Sequence, residues 1–137
     1  MPDDIHLGDA LGAAEDASAE RLTLYIPSQD SEGVPFDPRP WIEEAQHLLA
    51  AIGGGATAMP PADGAWLNPA TDRLVIEKMV LVYTFIDPDR FEQRIPALRQ
   101  FLHRLGRETG QGEVVCEFEG QLFKIREYDA GDDDGDT

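Results

Sequence analysis

Residues 74–86, LVIEKMVLVYTFI, form an almost unbroken run of aliphatic, aromatic and β-branched side chains, interrupted by one carboxylate, Glu77, and one ammonium, Lys78. That composition favours a strand, and the run stops at Asp87-Pro88, a helix-start signal. No other stretch is long enough to form the centre of a sheet, so the rest of the chain has to be arranged around this one. One parity of the run is Val75, Glu77, Met79, Leu81, Tyr83 and Phe85; the other is Leu74, Ile76, Lys78, Val80, Val82, Thr84 and Ile86. A strand with one solvated face alternates cleanly between apolar and polar residues. Both parities here are mostly apolar, so both faces call for cover.

The flanking segments supply some of that cover. Residues 21–26, RLTLYI, alternate and stop at Pro27, as a strand does. Residues 41–52 place Trp41, Ile42, Ala45, Leu48, Leu49 and Ile52 on one helical stripe, which Gly53-Gly54-Gly55 terminates. Residues 56–59 and 65–67 read as one edge strand broken by Pro60-Pro61 and Asp63-Gly64. After Asp87, the residues Phe91, Ile95, Leu98, Leu102 and Leu105 keep helical spacing, and Pro96 predicts a kink or two short helices. Residues 113–118 and 121–126 read as a hairpin around Glu119-Gly120.

This order predicts an α+β fold of the ferredoxin-like plan, β-α-β-β-α-β(β), with an antiparallel sheet and two helices on one face. Right-handed crossovers put the first and third strands side by side at the centre. Trp41, Leu48, Phe91, Leu98 and Leu102 should then cover one sheet face. With only two helices available, the second face predicts a homodimer through the sheet.

The chain has 137 residues and a formal charge of -16, concentrated at its ends. Residues 1–20 hold Asp3, Asp4, Asp9, Glu15, Asp16 and Glu20 with no Lys or Arg; residues 127–137 hold Glu127, Asp129, Asp132, Asp133, Asp134 and Asp136, again with no base. Both segments are poor in large apolar residues, which predicts disordered acidic tails around one domain at residues 21–126. So acidic a chain should be repelled by nucleic acid and by anionic membranes. The sheet segments also lack the basic-aromatic pattern of RNA-binding modules. The start has no positively charged region before an apolar one, and no run is long enough to span a bilayer, so the expected location is cytoplasmic. A single cysteine, Cys116, excludes an intramolecular disulfide and a cysteine-based zinc site, and its parity with Val114 and Phe118 predicts a buried small hydrophobe. The Asp132–Asp136 run lacks the spacing of a calcium loop, and His6, His47 and His103 are too dispersed for a metal centre, so neither metal nor cofactor is expected.

Two groups of residues could carry chemistry. Glu77 lies inside an apolar strand, where an unpaired carboxylate is costly; Arg126 or a backbone N–H could satisfy it, either as a structural contact or as a general base with a raised pKa. His47 is the accompanying acid–base candidate. The second group is Arg99, His103 and Arg107 at i, i+4, i+8, with Arg104 adjacent: a solvated helix face, or a patch for an anionic ligand, an acidic partner or the chain's own tails. Arg126 and Trp66 complete the candidate binding residues. Gly53-Gly54-Gly55 follows a helix and reads as its stop, not as a phosphate loop.

Gly54-Gly55-Ala56-Thr57, then Gly64-Ala65-Trp66 and Glu77, together with residues 102–108 and Gln111-Gly112-Glu113-Val114, resemble a group of small uncharacterised bacterial proteins. That group has a GGAT…GxW…E pattern and a helix-GR-strand junction. The resemblance covers about residues 21–126; it implies one compact domain and no chemistry. The leading functional expectation is a non-enzymatic, small acidic protein-interaction module of accessory, inhibitor or antitoxin-like type, whose tails would meet a basic surface on another protein. The alternative is a small-molecule-binding or enzymatic domain, with Glu77 as general base in a pocket between sheet and helices and His47 and Arg126 assisting. A buried Glu77 beside a real cavity would favour the alternative.

Overall fold

The computed structural model describes residues 6–15 and 20–131. In chain order its elements are α1 (Leu7–Leu11), β1 (Arg21–Pro27), α2 (Arg39–Gly53), β2 (Thr57–Ala58), β3 (Ala62–Asn68), β4 (Arg73–Phe85), α3 (Pro88–Glu108), β5 (Val114–Phe118) and β6 (Gln121–Ile125). The main path of the sheet runs β2-β4-β1-β5-β6, with β3 paired to β4 off that path. Every pairing is antiparallel.

Strand β4 serves two partners along its length. From Met79 to Phe85 it pairs with β1, in register from Pro27↔Met79 to Arg21↔Phe85. From Arg73 to Met79 it pairs instead with β3. The α+β class holds, but the sheet does not display the ferredoxin-like order as expected. The reason lies at Pro60-Pro61. Expected as an interruption within one strand, this dipeptide separates two: β2 pairs beside Val82 and Tyr83, whereas β3 forms a hairpin with the outer part of β4.

Helix α2 carries Pro40 in its first turn and ends at Gly54, whose φ of 95° suits glycine. It buries Ala45, Leu49 and Ile52. At Gly53 a Cβ would overlap Thr84 Oγ1 and the Phe85 carbonyl, so the missing side chain lets the helix end close against β4. Asp87 caps α3 by accepting from Asp89 N–H at 3.1 Å and Arg90 N–H at 3.5 Å. Pro96 lies within one uninterrupted helix, not between two. It is exposed, so water can hydrate the carbonyl it leaves unpaired, and the next turns are anchored by buried Leu98, Phe101, Leu102 and Leu105.

Both helices cover the same sheet face. Leu22, Leu24 and Ile26 of β1, Val80 and Val82 of β4, Ile86, and Val114 and Cys116 of β5 meet them in one core. Burial pushes the Cys116 thiol pKa up, as expected for an inert packing residue. Among the described residues no helix covers the opposite face, which presents Thr23 and Tyr25 of β1 and the odd-numbered residues of β4.

Helix α1 lies in the segment expected to be an acidic tail and buries none of its residues. Ordered structure also continues past Arg126. The Tyr128 ring rests against Gly106 of α3, where any Cβ would overlap it. The rest of both tails, including the run from Asp132, lies outside the described residues. Among the described residues no helix is long and apolar enough to cross a membrane.

Two substitutions separate core from cap. Leu24→Ala, at a position with 0% exposure, should cost about 2–5 kcal/mol. Asp87→Ala should cost about 1 kcal/mol. Urea denaturation monitored by circular dichroism measures both, and equal losses would contradict this division.

Candidate functional site

Glu77 stands on the helix-free face of β4, just beyond the point where β1 stops pairing. Gly64 is its direct partner on β3. Trp66, paired with Val75, is its diagonal neighbour on the same face. A Cβ at Gly64 would lie 2.6 Å from Met79 Cε, so any larger residue there would displace the end of that side chain. Continuing the β1 register two residues past Pro27↔Met79 brings Gln29 opposite Glu77. Ser28 confirms the continued approach, its hydroxyl donating to the Lys78 carbonyl at 2.6 Å.

This setting acts on the carboxyl in two directions. Burial raises its pKa; the backbone N–H groups of Ser28 and Gln29, which favour the ionised form, lower it. Burial prevails, and the pKa stands above the ordinary carboxylate range. Oε2 is buried with no hydrogen-bond partner among the described residues. Lys78 does not neutralise it, because that side chain points to the opposite sheet face and pairs with Asp63 at 2.8 Å. An unsatisfied buried carboxylate oxygen is suited to receive a proton or a cationic or donor group of a ligand.

A cavity of about 410 Å³ is lined by Ile26, Ser28, Pro38, Pro61, Lys78, Met79 and Val80; Ile26 and Val80 belong to the helix-side core, and Glu77 is not among its lining residues. Ser28 and Met79 flank Glu77 as well. Trp66 is 51% exposed and presents a free aromatic face close by.

The other candidates lie elsewhere. Glu77 was expected between sheet and helices with His47 and Arg126; its parity places it on the far side of the sheet. His47 is exposed on α2, which covers the opposite face. Arg126 donates to Glu113 at 2.8 Å. The stripe on α3 is occupied by the chain's own C-terminal segment. Arg99 makes two bonds to the Asp129 carboxylate, at 2.7 and 2.9 Å, and holds its pKa below the usual range. Arg107 donates to the Asp129 carbonyl at 2.6 Å, and Nδ1 of buried His103 accepts the Asp129 N–H at 2.7 Å. Arg104 turns away to Glu44 and lies 5.1 Å over the Trp41 ring. At the far end of the helix-free face Tyr25 donates to Glu117 at 3.0 Å. Glu117 is opposite Thr23, some 20 Å along the sheet from Glu77 at the usual strand rise.

Ser28 and Gln29 escaped the sequence reading, and Gly64 entered it only as part of a strand break and of the pattern with Trp66 and Glu77. A lone glycine in a strand is a signal for close approach, but the two amides act through their backbone and leave no trace in residue type. Among the described residues no cluster of three or more His, Cys, Asp or Glu could hold a metal.

The raised carboxyl has a consequence for stability. With its folded pKa above the unfolded one, Glu77 favours folding in its protonated form; that contribution is full below the unfolded pKa and is lost as pH rises through the folded pKa. Glu77→Gln should therefore stabilise the protein relative to wild type at pH 7.5, and the advantage should shrink at pH 4. Denaturant titration at both values checks it, and a larger advantage at pH 4 would reverse the sign.

No family model matches the chain, and no curated protein matches it in sequence. Two solved structures share its fold. A phage SAM lyase in complex with S-methyl-5'-thioadenosine superposes with a TM-score of 0.58 at 12% identity, covering 83% of this chain and 95% of that one. A phage SAM lyase in the apo state gives 0.55 at 13% identity, covering 82% and 92%. At these identities the likeness is one of fold. It nonetheless overturns the expectation of a non-enzymatic interaction module, because this is a fold on which an enzyme is built.

Proposed function

We propose that the chain is a small-molecule enzyme acting on a cationic adenosyl sulfonium, with Glu77 as its general base. The observation that carries the reading is the buried Glu77 Oε2, which has no hydrogen-bond partner among the described residues. The fold shared with a phage SAM lyase, one example of which holds S-methyl-5'-thioadenosine, supplies the ligand class. A sulfonium is a good leaving group. Glu77 takes a proton from the carbon next to the one bonded to sulfur, the C–H electrons form a C=C bond, and the S–C bond breaks with both electrons passing to sulfur, which leaves as a neutral thioether. Burial raises the Glu77 pKa, which strengthens the carboxylate as a proton acceptor. Exposed Trp66 offers the purine a stacking face. A chain with a net charge of -16 also draws in a cation.

Incubation with S-adenosylmethionine, followed by chromatography for S-methyl-5'-thioadenosine, tests the reading. Product should form; Glu77→Gln should lower kcat about 100-fold or more, and Trp66→Ala should raise KM about tenfold through lost stacking. Absence of product together with absence of calorimetric binding would overturn it.

A second copy of the chain is the occupant we infer for the helix-free face. Away from Glu77 and Trp66, Phe85 and Leu122 are exposed there beside half-buried Leu81 and Tyr83. Despite the acidity of the chain, this face balances Arg21, Arg73 and Lys124 against Glu77 and Glu117, so two copies can meet on it without strong repulsion. Light scattering across a dilution series should give a mass above one chain, and a strict monomer at the highest concentration would exclude the contact.

A further inference from the structure

We propose that Gln111 is a positioning residue for Glu77: it pins Gln29, whose N–H faces the carboxylate, and is itself held by Tyr128 of the C-terminal segment. The proposal rests on the reading of Glu77 as the base and concerns how that base is held.

The connection can be followed bond by bond. Gln111 Nε2 donates to the Gln29 carbonyl at 2.8 Å. The same amide lies 3.1 Å from Thr109 Oγ1 and 3.3 Å from the Thr109 carbonyl, which fixes its direction. Next to it, Ser31 N–H donates to the Gly110 carbonyl at 2.9 Å. Two adjacent bonds thus tie the loop after β1 to the turn after α3. On the other side, the Gln111 N–H donates to Gly106 O at 3.0 Å, and Tyr128 O–H donates to the Gln111 carbonyl at 2.9 Å. Tyr128 sits in the notch left by Gly106, and the next residue, Asp129, is clamped by Arg99, His103 and Arg107.

Within the loop, Asp30 N–H donates to the Val34 carbonyl at 2.8 Å and Phe36 N–H to the Ser28 carbonyl at 3.0 Å, which close it on itself; Gln111 and Gly110 tie the closed loop to the end of α3. Residues 31–35 are all exposed, so no apolar burial orients the chain as it leaves Gln29. Where burial is absent, a few polar bonds decide the backbone direction. Nearby charges do not do so for Glu77. Lys78 and Asp63 pair on the opposite face, Asp30 accepts from Glu32 N–H and Val34 N–H, and Glu113 accepts from Arg126. The amides of Ser28 and Gln29 are therefore the local groups that stabilise the Glu77 anion. Loosening Gln29 removes part of that stabilisation and leaves burial less opposed.

The test is a titration of the Glu77 side-chain carboxyl by carbon-13 NMR, its resonance identified by its loss in Glu77→Gln. Gln111→Met keeps the volume and removes the donor; the midpoint should rise by about half a pH unit or more. Tyr128→Phe removes only the outer bond and should move the midpoint in the same direction by less. The acid limb of the turnover profile should follow the midpoint in each variant. Unchanged midpoints in natively folded variants would overturn the proposal. If Gln111→Met does not fold, Tyr128→Phe alone decides, a rise supporting the role and no change overturning it. A shifted midpoint without product from any variant would overturn the enzymatic reading and leave the positioning role standing. Product with unmoved midpoints would do the reverse.

Discussion

Strand β4 has more hydrogen-bonding length than any one neighbour can use, and the rest of the fold follows from how that length is divided. Its inner stretch, Met79–Phe85, lies against β1 and beneath the helices; its outer stretch, Arg73–Met79, continues with β3 alone. The division falls at Pro27, which has no N–H to extend the ladder and turns the chain into a loop. Past that point the N–H groups of Ser28 and Gln29 have lost their strand and are free to meet a side chain. Glu77 is the side chain they meet. The candidate site is thus a product of the sheet itself, formed where two adjacent ladders part.

Much of this division was legible in the chain. The run through residues 74–86 marked the long strand, Asp87-Pro88 marked the start of α3, and Glu119-Gly120, both with positive φ, marked the last hairpin. Parity sorted Glu77 with Val75, Met79, Leu81, Tyr83 and Phe85. What parity could not supply was the side on which the helices would settle, because both parities are apolar. That choice belongs to packing: Val80 and Val82 lie in register with Ile26 and Leu24, and those four close against Ala45, Leu49 and Ile52. The site accordingly fell on the face opposite to the one expected, and with it went the association with His47. The split at Pro60-Pro61 was read as a bulge for a related reason. Two prolines exclude regular pairing, but only the length of β4 shows that it has room for a separate partner on either side of them.

The basic stripe of α3 shows a different limit. Spacing alone identified Arg99, His103 and Arg107 as one surface, read either as a solvated helix face or as a patch for an anionic ligand, an acidic partner or the chain's own tails. The occupant is part of the same chain. Asp129 offers its carboxylate, its carbonyl and its N–H to three different residues of the helix, a set of contacts that the segment's acidic composition could not foretell. Gly106 prepares the position by leaving space for Tyr128. A segment whose composition argued for disorder is ordered at its root because two of its residues find specific partners, and two partnered residues are enough to offset the entropy of holding a few more.

Glu77 and the α3 stripe then belong to one arrangement, not two. A general base needs a pKa high enough to take a proton and low enough to be ionised beforehand. Burial by itself would carry the carboxyl too far toward the neutral form; backbone donors by themselves would leave it a weak base. The balance here is struck by amides on a loop without an apolar anchor, and that loop is secured by Gln111 to a turn that Tyr128 secures in its sequel. A site whose basicity depends on backbone placement requires a rigid neighbour, and the nearest rigid element is the C-terminal end of α3 with its docked segment. The sheet places the carboxylate, the parting of the ladders exposes amides to it, and the docked C-terminal segment keeps those amides where the carboxylate can use them.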